Sequence, residues 1–183
     1  MVGTIAFAAM MAFAVPAATA AGQNTDGTAT LGAGALSMST PQTLTFAATL
    51  DGTDQVADAT QALDVLDNTG SAAGWNVTLT STTFTDTADS VSLSNDSASD
   101  SGALGACDTD VTCALATNTV SSDYPLTVPA DATAPTAVKI MSAAIGTGMG
   151  PQTWTHSMHL AIPANTHAGT YLSTWTYSLV SAP

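Results

Sequence analysis

Every acidic side chain in this sequence is an aspartate. Fourteen Asp and no Glu stand against one cation, Lys139, in a chain of 183 residues otherwise rich in Thr, Ser, Gly and Ala. Asp, Ser and Thr divert backbone hydrogen bonds into caps and turns, and the branched Thr side chain suits a pleated strand better than a helix. The composition therefore predicts strands joined by turns. The formal net charge of −13 narrows function as well. Neutralising phosphates takes clustered Lys and Arg, so nucleic-acid binding is excluded, and adhesion to anionic lipid headgroups is disfavoured for the same reason. A solvated, self-repelling surface is the simplest role for the acid, with attraction to cations or basic partners as the alternative.

The chain opens on an apolar run, Ile5 to Val15, followed by Pro16 and the small residues Ala18, Thr19 and Ala20. This is the hydrophobic segment and cleavage pattern of a secretory signal, and it predicts removal of residues 1–20. The run is shorter than the roughly 20 apolar residues a spanning helix needs. No Lys or Arg precedes it, so the natural start is expected upstream of Met1. Residues 21–30 are small and polar, an expected flexible lead-in, and residues 31–183 are expected to form a single domain. No second apolar segment of spanning length is present, and Ser181, Ala182 and Pro183 carry no sorting motif, so any surface attachment is expected to be non-covalent. In an exported chain the two cysteines, Cys107 and Cys113 in the run GACDTDVTC, read as a local disulfide. Such a short loop contributes about 2–3 kcal/mol. Zinc, the rival reading, takes four ligands, and no second Cys or His pair lies nearby.

Periodicity supplies the strands. Trp75, Val77 and Leu79 alternate with Asn76, Thr78 and Thr80, which predicts a half-buried strand. Trp154, His156, Met158, Leu160 and Ile162 share one face of a second run, and Tyr171, Trp175, Tyr177 and Leu179 one face of the last. Further strands are expected at Leu44 to Leu50, in the weakly alternating stretch to Leu66, at Ala137 to Ala144, and at Tyr124 to Val128, where Pro125 implies a sheet edge. Asp86 to Ala106, dominated by Ser, Asp, Ala and Gly, reads as a long mobile excursion. Strands at this spacing, separated by Gly, Pro, Asp and Asn, predict an antiparallel β-sandwich of immunoglobulin-like or Greek-key type.

Two blocks resemble a known family. Asn68 to Leu79, NTGSAAGWNVTL, is similar to the first motif of WxL domains, in which a Gly-rich turn leads into Trp-x-Leu on a strand. Ile162, Pro163 and Ala164, then Ala168 to Tyr171, then Thr174 to Leu179, resemble that family's second motif and chain end. Where the family carries Leu, this sequence has Val77 and Tyr177, which keep an apolar side chain on the tryptophan's face. The resemblance implies a protein secreted to the bacterial surface, bound non-covalently to peptidoglycan or another wall polymer, and assembling with other surface proteins. It marks Trp75, Val77, Trp175 and Tyr177 as the motif and binding surface.

An indole can stack on a sugar ring, yet the alternation sets Trp75 and Trp175 beside aliphatic neighbours, so packing is the stronger expectation for both, and stronger still for Trp154. On that reading the tryptophans shape a binding surface without touching ligand, and the two motif strands are expected to lie side by side with their indoles close together in one apolar interior. Catalysis has little support: no Glu, no G-x-S-x-G, S-x-x-K or H-E-x-x-H element occurs. His156 and His159 fall on opposite faces of a strand and cannot grip one ion; His156 is expected to be a satisfied, partly buried histidine. Asp51 with Asp54 and Asp108 with Asp110 lack calcium-loop spacing. No enzyme, cofactor or metal is expected. A structural subunit of an extracellular filament or surface layer, polymerising by strand exchange at its edges, is the alternative function.

Overall fold

The computed structural model describes residues 25–181. The expected signal, residues 1–20, lies outside the described residues, and residues 25–30 of the lead-in carry neither helix nor strand. The strands are β1 (Leu36–Ser39), β2 (Gln55–Asp67), β3 (Trp75–Thr82), β4 (Thr85–Asp86), β5 (Val91–Ser92), β6 (Ala98–Cys107), β7 (Leu126–Thr127), β8 (Ala130–Asp131), β9 (Val138–Ala143), β10 (Gly150–Ile162) and β11 (Trp175–Ser181). No helix occurs among the described residues, as an Asp-, Ser- and Thr-rich chain without Glu predicts.

One sheet has the order β1-β2-β10-β6-β7 and is antiparallel throughout. Its spine is the pairing of β10 with β2 over all thirteen residues of each strand. The second sheet is centred on β3, with β11 antiparallel along one edge and β9 and the short parallel β8 along the other. The inner faces meet in one core: Leu63, Val65, Trp154, Met158 and Leu160 from the first sheet, Trp75, Val77, Leu79, Ile140 and Met141 from the second. This is the sandwich that the period-two runs predict.

Four expectations change. Leu44 to Leu50 alternates like a strand but pairs with none. It is an extended strap between β1 and β2, and its Phe46 ring packs on Phe84 and Trp175 instead. The expected excursion from Asp86 to Ala106 holds a ten-residue strand, β6, between β10 and β7. Its small residues are demanded by the neighbour: a side chain at Gly105 would overlap the Trp154 ring. β3 is buried on both faces rather than one, because it is central; over its second face the Thr80 hydroxyl bonds the carbonyls of Pro129 and Pro135. His156 is fully buried rather than partly so, and it is satisfied at Nδ1 alone, its Nε2 having no hydrogen-bond partner among the described residues.

Candidate functional site

The first motif is built to bury its tryptophan. Gly74 has φ +78° and a side chain there would strike the Ala143 carbonyl; Gly148 has φ +83° and a side chain there would strike the indole itself. Both positions require glycine. The gap they leave seats Trp75 at 0% exposure, with Nε1 donating to the Gly148 carbonyl at 3.0 Å. Val77 and Leu79 are equally buried. Trp75 and Val77 therefore present no surface to a ligand and act by holding β3 in place.

The second motif lies beside the first in antiparallel register, Trp175 opposite Ser81, Tyr177 opposite Leu79, Leu179 opposite Val77 and Ser181 opposite Trp75. Opposed residues share a face, so both apolar sets point into the core. The two indoles, however, sit at opposite ends of the pair: six residues separate them along the ladder, about 20 Å at strand rise. The expectation of neighbouring rings in a shared interior is thus corrected for the rings and kept for the strands. Trp175 and Tyr177 are half-buried. Burial, and secondarily the Asp100 charge, push the Tyr177 phenol well above its usual range.

At the Trp175 end the molecule opens into a cleft of about 850 Å³. Trp175 packs with Phe46 and Phe84 at ring-centroid distances of 6.1 and 6.3 Å, and the last two rings line the cleft with Leu93, Leu160 and Ile162. The strap, residues 44–50, forms one wall and residues 166–172, just before β11, form the other. Asp86 fixes the second wall: Oδ2 accepts the Thr170 N–H at 3.0 Å and Oδ1 the Ala88 N–H at 2.8 Å. Reciprocal amide bonds of 3.0 Å between Thr85 and Leu172 complete the attachment. None of the fourteen Asp lines this cleft, whose polar groups are hydroxyls of Thr45, Thr49, Thr166, Thr170 and Tyr171 and the imidazole of His167. Aromatic faces edged by neutral hydroxyls suit an uncharged, ring-bearing polymer such as a glycan.

The other candidate residues fall elsewhere. Cys107 and Cys113 form the disulfide, closing the loop after β6. The Asp51 carboxylate is held below its usual range by Thr53, whose hydroxyl and amide both donate to it within one turn, and Asp54 ties that turn to the segment after β10 by accepting the Ala164 N–H. His156 and His159 do occupy opposite faces of β10. Inside, His156 Nδ1 lies 2.6 Å from Asp100 Oδ2, both fully buried. Outside, His159 Nδ1 lies 2.6 Å from Asp58 Oδ1 and Nε2 lies 2.7 Å from Ser101 Oγ. Sequence reasoning missed this last group, because its members meet only through the register of β2, β10 and β6.

The chain is thus an all-β domain built on two main sheets, with Trp75 fully buried, Trp175 half-buried and an aromatic cleft without carboxylates at the second motif. The match to a family extends over residues 17–183: WxL domain, surface cell wall-binding. The chain belongs to that family. No curated protein and no solved structure matches it.

Proposed function

We propose that the protein is exported and holds non-covalently to peptidoglycan or another wall polymer, with the uncharged cleft beside Trp175 as the contact. Membership of a cell-wall-binding family over nearly the whole chain carries this reading. The cleft supports it, being free of carboxylates in a molecule of net charge −13. Trp175 then acts from behind, bracing the Phe46 and Phe84 rings, while Tyr171 and the threonines meet the polymer.

Sedimentation of the chain with washed cell walls tests it. Leu50 lines the cleft at 38% exposure, so Leu50→Asp puts a charge at the contact without disturbing the core. Binding should weaken at least tenfold, whereas Ile145→Asp, at a site 75% exposed outside the cleft, should leave it unchanged. Equal behaviour of the two variants would remove the cleft from the proposal.

Assembly with other surface proteins finds support in β11. It ends its sheet, no described strand pairs with its outer edge, and its seven residues carry no charge. Such an edge is a template for strand addition. Size-exclusion chromatography at high concentration separates the outcomes, since discrete monomers would leave heterologous strand addition and remove a self-polymerising filament.

A further inference from the structure

The outer face of the first sheet carries a nucleophile–base–carboxylate arrangement. Asp58 on β2 lies directly opposite His159 on β10. On the far side, β6 bulges: Ala103 faces His156 and Asp100 faces Met158, so Ser101 and Gly102 together oppose Ser157. Gly102, at φ +146°, absorbs the extra residue, and the bulge re-aims Ser101 toward the imidazole. The contacts are 2.6 Å from Asp58 Oδ1 to His159 Nδ1 and 2.7 Å from His159 Nε2 to Ser101 Oγ. A carboxylate only accepts hydrogen bonds, so in the neutral imidazole the ring proton sits on Nδ1 and Nε2 is the acceptor for the serine hydroxyl. The Ser157 carbonyl, 3.2 Å from the same Oγ, competes for that hydrogen over a longer bond. Each contact is within the reach that activates a hydroxyl nucleophile.

The geometry points to a second capability of this chain, independent of how it binds the wall: Ser101 is an acyl-accepting nucleophile, with His159 as its base and Asp58 as the positioning residue, acting on carboxylic esters. Ser101 Oγ attacks the ester carbonyl carbon while its proton passes to His159 Nε2. The tetrahedral adduct collapses, the bond to the alcohol oxygen breaks, and the departing alcohol takes that proton. Water then attacks the acyl-serine, giving its proton to Nε2. The acid leaves as Ser101 Oγ recovers the proton, for a net conversion of ester and water to acid and alcohol.

The surroundings limit the substrate. The group lies on an open sheet face, with Ser101, Ser157 and Asp58 exposed and His159 about one-third exposed. An ester carried on a larger molecule can reach it, and the exposed Val56 and Ala161 on the same face offer apolar ground to the acyl part. The Gly102 N–H, the nearest backbone donor in sequence, is committed to Asp100 Oδ1 at 3.0 Å. With that donor withdrawn from the oxyanion, the rate falls by about 10²- to 10³-fold. That puts amides out of reach and favours esters with good leaving groups.

The test is a fluorophosphonate probe on the intact folded chain, with the labelled residue mapped by mass spectrometry, and p-nitrophenyl acetate as substrate. The native protein should be labelled on Ser101, and protein denatured before the probe is added should not be. Ser101→Ala should abolish labelling, and His159→Gln should slow it about 100-fold, the lower range for loss of a general base. Asp58→Asn should slow it about tenfold or more while leaving the melting temperature unchanged. In that variant the ring-nitrogen NMR shifts of His159 should lose the Nδ1–H tautomer, which a merely structural carboxylate would not govern. Absence of label on the native chain, or label scattered over several hydroxyls and indifferent to His159→Gln, overturns the proposal. The map on the unmutated chain decides it even where a variant fails to fold.

Discussion

Asp100 is the residue around which the core's electrostatics turn. It is fully buried, paired with His156 on β10, and its charge reaches two tyrosines. Burial first, and Asp100 second, raise the Tyr124 phenol to about 12, and Tyr177 is pushed further in the same direction. Tyr124 is also fixed in its neutral form, donating to the Ile140 carbonyl at 2.5 Å. The sign of the linkage follows. An unfolded tyrosine ionises near 10, so below about pH 10 both states keep the proton and the contribution is fully present. As pH rises from about 10 through 12, the unfolded chain releases protons that the folded chain retains, and stability falls. Urea midpoints measured across this window should decline while phenolate absorbance of the native protein lags behind that of the unfolded chain. Tyr124→Phe should flatten part of the decline; a midpoint independent of pH in this window would contradict the assignment.

At the scale of strands, Gly105 shows what packing adds to pattern. It faces Trp154, 4% exposed and anchored through Nε1 to Gln152 Oε1 at 3.0 Å, and any side chain there meets the indole. Gly105→Val should therefore destabilise by about 1–3 kcal/mol, a fall of several degrees in Tm. Ala106→Val, on the exposed face one residue on, should change Tm by about a degree or two. Similar melting curves for the two would mean that the indole moves aside freely. The same contact explains what was legible in the sequence. β3, β10 and β11 announce themselves because large apolar residues alternate on their core faces. β6 hides because its partner supplies the bulk, so Ser, Gly and Ala in its own sequence imitate a loop. The strap errs in the other direction, since Leu44, Phe46, Ala48 and Leu50 alternate as a strand does, yet backbone pairing gives way to the Phe46 ring stack. The motif tryptophans were readable as packing residues from their aliphatic neighbours. The cleft was not, because Phe46, Phe84, Leu160 and Tyr171 converge from four separated segments.

For the whole molecule, charge and binding pull in opposite directions. A net charge of −13 with one Lys repels any wall polymer bearing carboxylates or phosphates, so the attachment proposed for the uncharged cleft works against long-range electrostatics. This fixes the direction of the salt effect. Raising ionic strength from about 10 mM to about 150 mM shortens the Debye length from roughly 30 Å to roughly 8 Å. The repulsion is screened, while apolar and hydroxyl contacts inside the cleft are little affected. Wall association should therefore strengthen with added monovalent salt, and should do so in both the on-rate and the bound fraction. Divalent cations should add little beyond their ionic strength, because no group of three or more His, Cys, Asp or Glu able to hold an ion occurs among the described residues. Sedimentation with washed walls over a sodium chloride series, repeated with magnesium at matched ionic strength, measures both terms. Binding that weakens with salt would place the contact on Lys139 or another charged group and take it out of the cleft. Binding that appears only with magnesium would make the aspartate surface, bridged by cations, the adhesive one.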